Sequence, residues 1–219
     1  MTYIIGLVSQ KGGVGKSTLA RLIAREAAAE GLETKIADLD TKQTTCTKWA
    51  ARRAENGIEP SIRVEPFADA DSALKESTNF DLYIFDGRPH SDKQTQRVAR
   101  AADLVVIPTN VWTDDLEPSV LLAHDLFNDG IPVNRIVFAL CMVPESAKQI
   151  AQAREYLSHT PYRVLDGDVP FKTAFGDSLD KGRAITETPF RTLVKRADKL
   201  AQSIVDAAAK AGHQTMEVA

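Results

Sequence analysis

Residues 9–18 are the stretch of this chain whose residue types and spacing best predict chemistry. They read Ser-Gln-Lys-Gly-Gly-Val-Gly-Lys-Ser-Thr and lie between an apolar run at 3–8 and a helix-forming run at 19–29. A glycine loop between a strand and a helix directs backbone N–H groups at phosphate oxygens, and the helix dipole adds positive potential. A lysine in such a loop neutralises phosphate charge, and the hydroxyl after it binds Mg²⁺. The stretch predicts a phosphate-binding loop built from Gly12, Gly13, Val14, Gly15, Lys16, Ser17 and Thr18.

The loop departs from the strict phosphate-loop pattern at one position. The first glycine of Gly-x-x-x-x-Gly-Lys-Ser/Thr would fall on Gln10, and a second lysine, Lys11, follows it. A glycine turn with two solvent-exposed lysines is the alternative interpretation. The agreement of the strand, loop and helix signals favours the phosphate-binding loop.

The elements that must position this loop alternate along the whole chain. Apolar, β-prone runs alternate with helical runs, which is typical of βαβ units, and the strands are apolar enough to be buried on both faces. We predict an α/β fold, the P-loop NTPase fold, with a mostly parallel, twisted sheet of about seven strands flanked by helices. The predicted strands span 3–8, 34–37, 61–64, 82–85, 104–107, 135–140 and 162–165, and the predicted helices span 17–29, 47–55, 70–76, 93–100, 118–128, 147–158 and 189–209.

Length and composition are those expected of one soluble domain. The 219 residues are 43% hydrophobic and 26% charged, with a formal net charge of −3, so nucleic-acid contacts would need a local basic patch. Cys46 and Cys141 lack metal-ligand spacing and predict a reduced, cytoplasmic setting. No secretory leader and no apolar run of about 20 residues is found. We expect one domain over 1–210 and a flexible tail over 211–219.

Acidic residues follow two of the predicted strands. Asp38 and Asp40 come after the strand 34–37, and Asp86 follows the strand 82–85 as Leu-Tyr-Ile-Phe-Asp, which has the form of a Walker B segment. Ligands of parallel sheets bind beyond the carboxyl ends of the strands. A carboxylate there can hold Mg²⁺, often through a water molecule, which predicts Asp86 as a metal ligand.

With both lysines present, Lys-Gly-Gly-Val-Gly-Lys-Ser resembles the deviant P-loop of the ParA/MinD family of ATPases. The resemblance covers residues 1–210 and implies ATP and Mg²⁺ as ligands, weak ATP hydrolysis and an ATP-bound homodimer that encloses two nucleotides. In that family the first lysine, here Lys11, reaches across the dimer to the phosphates of the partner subunit. The second lysine, here Lys16, binds the β- and γ-phosphates.

The resemblance also implies roles for the hydroxyl and carboxylate residues. Ser17 and Asp86 would hold Mg²⁺, and Asp38 would lie close to the metal. Asp40 would orient the attacking water. The alternative for Asp40 is a loop aspartate that caps the helix near 44–47.

The two loops that would sense the nucleotide differ from the family pattern. Where the family has Asp-Pro-Gln, the chain reads Asp-Thr-Lys-Gln at 40–43, and where the family often has Thr-Pro-Pro, it reads Gly-Arg-Pro-His at 87–90. These are the switch loops of the family, so they bear on the hydrolysis rate and on partner coupling. Arg88 is interpreted either as a phosphate or partner contact or as a solvent-exposed loop residue.

A late segment resembles the part of the family that lines the adenine pocket. Val-Pro-Phe at 169–171 precedes Gly176 and Lys-Gly-Arg-Ala-Ile at 181–185. The resemblance implies that Pro170 and Phe171 contact the base, mainly through backbone atoms. Residues 142–145 are a second candidate for the adenine rim.

A basic segment near the C-terminus is the candidate surface for DNA. Residues 181–199 contain two acidic residues, Glu187 and Asp198, and six basic ones. A dimer would double this charge, although a solvated helix face is the alternative interpretation. A smaller cluster consists of Lys48, Arg52 and Arg53. The candidate DNA-binding residues are Lys181, Arg183, Arg191, Lys195, Arg196 and Lys199.

The resemblance predicts a switch ATPase for plasmid or chromosome partition. Short members of the family, which lack an N-terminal helix-turn-helix domain, bind non-specific DNA as ATP dimers and are released when a ParB-like adaptor stimulates hydrolysis. We expect a cytoplasmic bacterial protein that is nucleoid-associated in its ATP state. A recruiting factor in conjugative DNA transfer and a MinD-like membrane-associated ATPase are the alternatives. A membrane partner is not expected, because 211–219 lacks an apolar, basic face.

Overall fold

The computed structural model describes residues 2–89 and 93–217, with side chains as far as Ala211. Its described strands form one sheet in the order β3-β2-β4-β1-β5-β6-β7, with β8 paired to β6, and every pair is parallel. The predicted α/β sheet is therefore confirmed. The strands are Tyr3–Ser9 (β1), Thr34–Asp38 (β2), Arg63–Pro66 (β3), Leu82–Pro89 (β4), Leu104–Thr109 (β5), Ile136–Val143 (β6), Arg163–Val164 (β7) and Val169–Pro170 (β8).

Helices cover both faces of the sheet, because its central strands are apolar on both sides. Ile5 and Leu7 of β1 pack into the core on one face, whereas Val8 packs into the core on the other. The first core also contains side chains of α1, α2 and α8, and the second contains those of α3 to α6. The helices are Lys16–Ala29 (α1), Thr45–Glu55 (α2), Ala70–Leu74 (α3), Lys93–Ala101 (α4), Thr113–Asn128 (α5), Ala147–Ser158 (α6), Thr173–Asp180 (α7) and Arg191–Glu217 (α8).

Three helix predictions were wrong in their bounds or missing. The start of α5 was predicted at Pro118, but the helix begins five residues earlier, where acidic residues of its first turn suit the helix dipole. The short helix α7 was not predicted, because Gly176 interrupts its pattern. The backbone of α8 continues to Glu217, beyond the predicted end at 209. The flexibility expected for 211–219 stays a prediction.

The register of β2, β4 and β1 brings the acidic residues to one edge. Asp38 is the register partner of Asp86, and Asp86 is also the partner of Leu7, two residues before the phosphate loop begins. Gly87 follows, and a Cβ there would lie 2.5 Å from the backbone oxygen of Leu7, so only glycine allows this approach. No helix in the described part of the chain is both long and apolar enough to span a bilayer.

Candidate nucleotide-binding site

The phosphate loop is shaped by two of its three glycines. Gly13 has a φ of +79° and Gly15 a φ of +105°, values that side chains other than glycine rarely adopt. A Cβ on Gly15 would also collide with the Sγ of Cys141, so the loop rests directly on β6. Gly12 does not have a positive φ, and a Cβ there would meet open space. The conformation and surroundings of Gly12 therefore do not by themselves require glycine.

Lys16 is held at the bottom of this loop. Its side chain is 6% exposed, and its Nζ donates to the Oγ of Ser9 at 2.6 Å and to the backbone oxygen of Lys11 at 3.1 Å. Burial lowers the pKa of Lys16, while the charges of Asp86 and Asp40 oppose this shift. The ammonium group is thus fixed before any phosphate arrives.

Lys11 points away from its own phosphate loop. Its Nζ lies 3.1 Å from the Oδ1 of Asp115 in the first turns of α5, and its side chain is 42% exposed. Lys11 does not line the site cavity. An ion pair this exposed is weak, so a stronger anion can displace Asp115.

Asp86 is a buried carboxylate with one unsatisfied oxygen. Its Oδ2 accepts a hydrogen bond from the thiol of Cys46 at 3.1 Å, whereas its Oδ1 is buried and has no partner among the described residues. Burial raises the pKa of Asp86 to about 6, and the polar side chains of Ser17 and Cys46 beside it oppose this shift. An orphaned carboxylate oxygen beside the Ser17 hydroxyl fits a hard divalent cation such as Mg²⁺, which prefers oxygen ligands.

Asp38 connects the metal side of the site to α2. It is wholly buried, and its Oδ2 accepts from the backbone nitrogen of Thr47 at 3.1 Å and from the Thr47 hydroxyl at 3.0 Å. Its Oδ1 accepts from the backbone nitrogen of Asp40 at 3.2 Å. Asp38, rather than Asp40, therefore caps this helix, because Thr47 carries one of its unsatisfied N–H groups.

Asp40 closes a tight turn at the edge of the cavity. Its Oδ1 accepts from the backbone nitrogens of Lys42 at 3.2 Å and Gln43 at 3.1 Å. Thr44 follows with a φ of +49°, a left-handed conformation that is uncommon for a residue other than glycine. The bonds to the Asp40 side chain are local, so a bound ligand could move the turn without disturbing the core.

The site cavity has a volume of about 200 Å³ and opens between the phosphate loop, the 40–45 loop and the end of β4. Pro170 is buried in β8, and Phe171 is 68% exposed, and neither side chain lines this cavity. Their contact with adenine stays a prediction, as does the role of Val14, which is buried behind the loop. The lining residues are Gly12, Gly13, Gly15, Lys16, Ser17, Thr18, Arg21, Asp40, Gln43, Thr45, Gly87, Pro89 and Met142.

The predicted DNA-binding residues are only partly available. Arg196 is half-buried and paired with Asp168 at 2.6 Å, which removes it from the candidate surface. Arg53 of the smaller cluster is 1% exposed, because Glu187 binds its guanidinium at 2.7 and 3.0 Å. Arg52 is half-buried and donates to the backbone oxygen of Leu179, 3.4 Å away, which joins α2 to this region. Within the two basic clusters predicted from sequence, the exposed residues are Lys48, Lys181, Arg183, Arg191, Lys195 and Lys199.

Four residues at the site were missed by sequence reasoning. Cys46 and Asp115 contact Asp86 and Lys11 across 40 and 104 positions of sequence, whereas Thr47 contacts Asp38 only nine positions away. Arg21 lines the cavity and lies four residues after Ser17, on the same helix face. That spacing is the one signal that could have identified a site residue. His90, Ser91 and Asp92 lie outside the described residues.

The comparisons with known protein families and sequences identify a nucleotide-binding domain. Residues 5–185 match the family model described as the CobQ/CobB/MinD/ParA nucleotide binding domain. The chain is 30% identical over 133 residues to the chromosome-partitioning ATPase Soj of Thermus thermophilus, an alignment that covers 48% of this chain and 53% of Soj. It therefore spans about half the length of the curated relative that it matches.

Solved structures of similar architecture share the fold at low identity. The septum site-determining protein MinD of Pyrococcus horikoshii OT3, complexed with Mg-ADP, superposes with a TM-score of 0.74 at 15% identity, over 96% of this chain and 99% of that one. A putative plasmid partition protein from Borrelia burgdorferi B31, bound to AMPPNP, gives a TM-score of 0.73 at 16% identity, over 94% and 99%. At these identities the likeness establishes the fold.

Proposed function

Because the chain belongs to the CobQ/CobB/MinD/ParA nucleotide-binding domain family, we propose that it is a Mg²⁺-dependent ATPase that acts as a dimeric switch. This proposal rests on two buried groups that occur together: the ammonium of Lys16, fixed below the loop, and the unsatisfied Oδ1 of Asp86. The first supplies positive charge for phosphates, and the second supplies an oxygen for the metal.

Hydrolysis would proceed by in-line attack of water on the γ-phosphate, where positioning and electrostatics supply most of the catalysis. Lys16 would neutralise the β- and γ-phosphate oxygens. Ser17 and Asp86 would hold Mg²⁺, with Asp38 beside it, and the ion would offset the charge that develops on the leaving group. Asp40 faces the cavity from its turn and would orient the water.

Lys11 would make the activity depend on a second copy of the chain. It lies outside the cavity of its own subunit, in an exposed pair with Asp115. In a face-to-face dimer it would leave Asp115 and add its charge to the partner subunit's phosphates, because a triphosphate is a stronger anion than one carboxylate. Dimerisation would then require ATP.

The cellular role proposed for the switch is plasmid or chromosome partition. The similarity to Soj supports this role, as does the exposed basic surface at Lys48, Lys181 and Arg183. In a dimer this surface is doubled, and each phosphate neutralised contributes about −0.9 to the log–log salt slope. A net charge of −3 per chain would keep the monomer off DNA. A ParB-like adaptor that stimulates hydrolysis would release the dimer.

The experiment that tests this function measures binding to non-specific duplex DNA with ATP, ADP or no nucleotide, at two salt concentrations. Light scattering under the same conditions reports the dimer. We expect salt-sensitive binding with ATP alone, lost in Lys11→Ala together with the dimer and retained in the surface control Lys93→Ala. An ATP-induced dimer that does not bind DNA would contradict the partition role and favour a switch that recruits a protein or binds a membrane. A Lys11→Ala variant that still dimerises would contradict the trans lysine.

A further inference from the structure

Arg21 is a buried cation in the wall of the nucleotide cavity. Its side chain is 5% exposed, and its Nε donates to the backbone oxygen of Ser17 at 2.7 Å. Side chains of an α-helix lean toward its N-terminus, so a residue four positions after Ser17 brings its guanidinium back to the metal side of the loop. On its other side, Cζ lies 6.0 Å from the ring centroid of Trp49.

The guanidinium of Arg21 is not satisfied by the protein. Within residues 2–89 and 93–217, the bond to Ser17 is its one hydrogen bond, and it forms no ion pair. The side chain lines the cavity. Its two terminal nitrogens make no hydrogen bond to the described residues, yet they are not fully buried. Arg21 therefore brings hydrogen-bond donors that no described residue uses to the wall of the cavity. A buried arginine without a carboxylate partner is rare unless a ligand completes it.

The charges around Arg21 indicate what it balances. Burial lowers its pKa, while the charges of Asp86 and Asp38 act in the opposite direction. Both carboxylates are buried, at 1% and 0% exposure, and neither is close enough to pair with it. A guanidinium keeps its charge at every physiological pH, so its field acts on these carboxylates whether or not a metal is bound.

We propose that Arg21 is a fixed cation of the nucleotide site, which offsets Asp38 and Asp86 and attracts the nucleotide phosphates when Mg²⁺ is absent. The inference rests on the proposed Mg²⁺ site. It has two consequences of opposite sign. Arg21 strengthens the binding of metal-free nucleotide, and it weakens the binding of Mg²⁺ to the nucleotide complex, because like charges repel. The nucleotide would thus stay bound while the metal exchanges.

The test compares the affinity for a fluorescent ADP analogue with Mg²⁺ and with EDTA, and titrates Mg²⁺ into the ADP complex. The variants are Arg21→Gln, which removes the charge, and Arg21→Lys, which keeps it. Arg25→Gln is the matched control, because Arg25 lies on the same helix outside the cavity and pairs with Glu26. Thermal unfolding of each variant monitors the fold.

We expect Arg21→Gln to weaken ADP binding in EDTA by about tenfold or more, and by less than about threefold with Mg²⁺. Less Mg²⁺ should then half-saturate its ADP complex, and Arg21→Lys should restore both values. Equal weakening in the two conditions, failure of lysine to rescue, or weaker Mg²⁺ binding would overturn the proposal and indicate a packing role. If the wild-type protein binds ADP equally well with Mg²⁺ and with EDTA, the proposed metal site is overturned, and this inference with it.

Discussion

The two halves of the nucleotide site differ in how firmly the chain holds them. Lys16, Asp38 and Asp86 are at most 6% exposed. Lys16 is hydrogen-bonded to Ser9 of β1, and both carboxylates are hydrogen-bonded to α2. Lys11, outside the cavity, pairs with the half-buried carboxylate of Asp115, and Asp40, in the cavity wall, is bonded to its own turn. The fold itself prepares the phosphate and metal side, whereas the side that faces solvent is arranged by weak contacts.

This difference assigns separate tasks to the two halves. Preorganised groups in a buried, low-dielectric setting act on a ligand without reorganisation, which suits binding of phosphates and metal. Weakly held groups can be rearranged by a ligand or by a second subunit at small cost, which suits a switch. Substitutions on the two sides should therefore fail in different ways.

The largest effect is expected on the buried side, for Lys16→Ala. The change removes the phosphate-binding charge and leaves the Ser9 hydroxyl without its donor, so we expect ATP binding to weaken at least about a hundredfold. Titration calorimetry with ATP and Mg²⁺ measures this loss. The control Lys93→Ala is exposed and should bind ATP as the wild type does. Binding retained by a folded Lys16→Ala variant would remove Lys16 from the site.

On the open side, Asp40→Ala should separate binding from turnover. If Asp40 orients the water, its loss leaves a stable ATP dimer whose hydrolysis is at least about tenfold slower. Phosphate release and light scattering on the same sample measure both properties. Thr41→Ala, in the same exposed turn, is the control and should keep normal turnover. Wild-type hydrolysis by Asp40→Ala would refute its role.

In the metal-free protein, we expect the buried carboxylate of Asp86 to lower the free energy of unfolding. Since burial raises the pKa of Asp86 to about 6, its ionised form destabilises the fold above that pH. Stability is regained as the pH falls from about 6 toward the ordinary pKa of an aspartate. Asp86→Asn should therefore be more stable than the wild type by about 3 kcal/mol at pH 7, with a difference that shrinks toward pH 4. Urea unfolding in EDTA measures this; the exposed control Asp177→Asn should show no such convergence.

The smallest effect is expected for Asp115→Asn, which frees Lys11. The ion pair is partly exposed, at 42% and 19% for its two side chains, so its loss should be worth at most about 1 kcal/mol. We expect a two- to fivefold shift, roughly, toward the dimer at limiting ATP, measured by light scattering. Asp114→Asn, one residue earlier in the same helix, is the matched control. An unchanged dimer would mean that Asp115 does not compete for Lys11.

The buried half of the site, with Lys16, Asp38 and Asp86, was largely predictable from sequence, because local signals specify it. The glycine loop, the lysine and the carboxylate after an apolar strand are contiguous motifs, and the sheet topology follows from alternating patterns. The contacts of Lys11 with Asp115 and of Asp86 with Cys46 were not predictable, because they join residues 104 and 40 positions apart. Only the three-dimensional packing of β4, α2 and α5 decides which side chains meet there.

Two predictions made from local sequence rules also failed, because tertiary contacts override those rules. Proline favours the first turn of a helix, which placed the start of α5 at Pro118, yet the helix tolerates this proline in its interior. The basic pattern of α2 treated Arg53 like Arg52, although the first is wholly buried against Glu187 and the second is only half-buried. Helical spacing specifies a face, but the neighbours of that face come from other parts of the chain.

The placement of Trp49 gives the protein its own optical reporter. The indole is wholly buried near two guanidinium groups, with Cζ of Arg21 at 6.0 Å and Cζ of Arg53 at 5.5 Å from the ring centroid. Trp112, the other tryptophan, is 49% exposed. Because indole emission responds to nearby charge, a Trp112→Phe protein would emit from Trp49 alone. Its fluorescence would then follow nucleotide and metal occupancy in real time, without an attached dye.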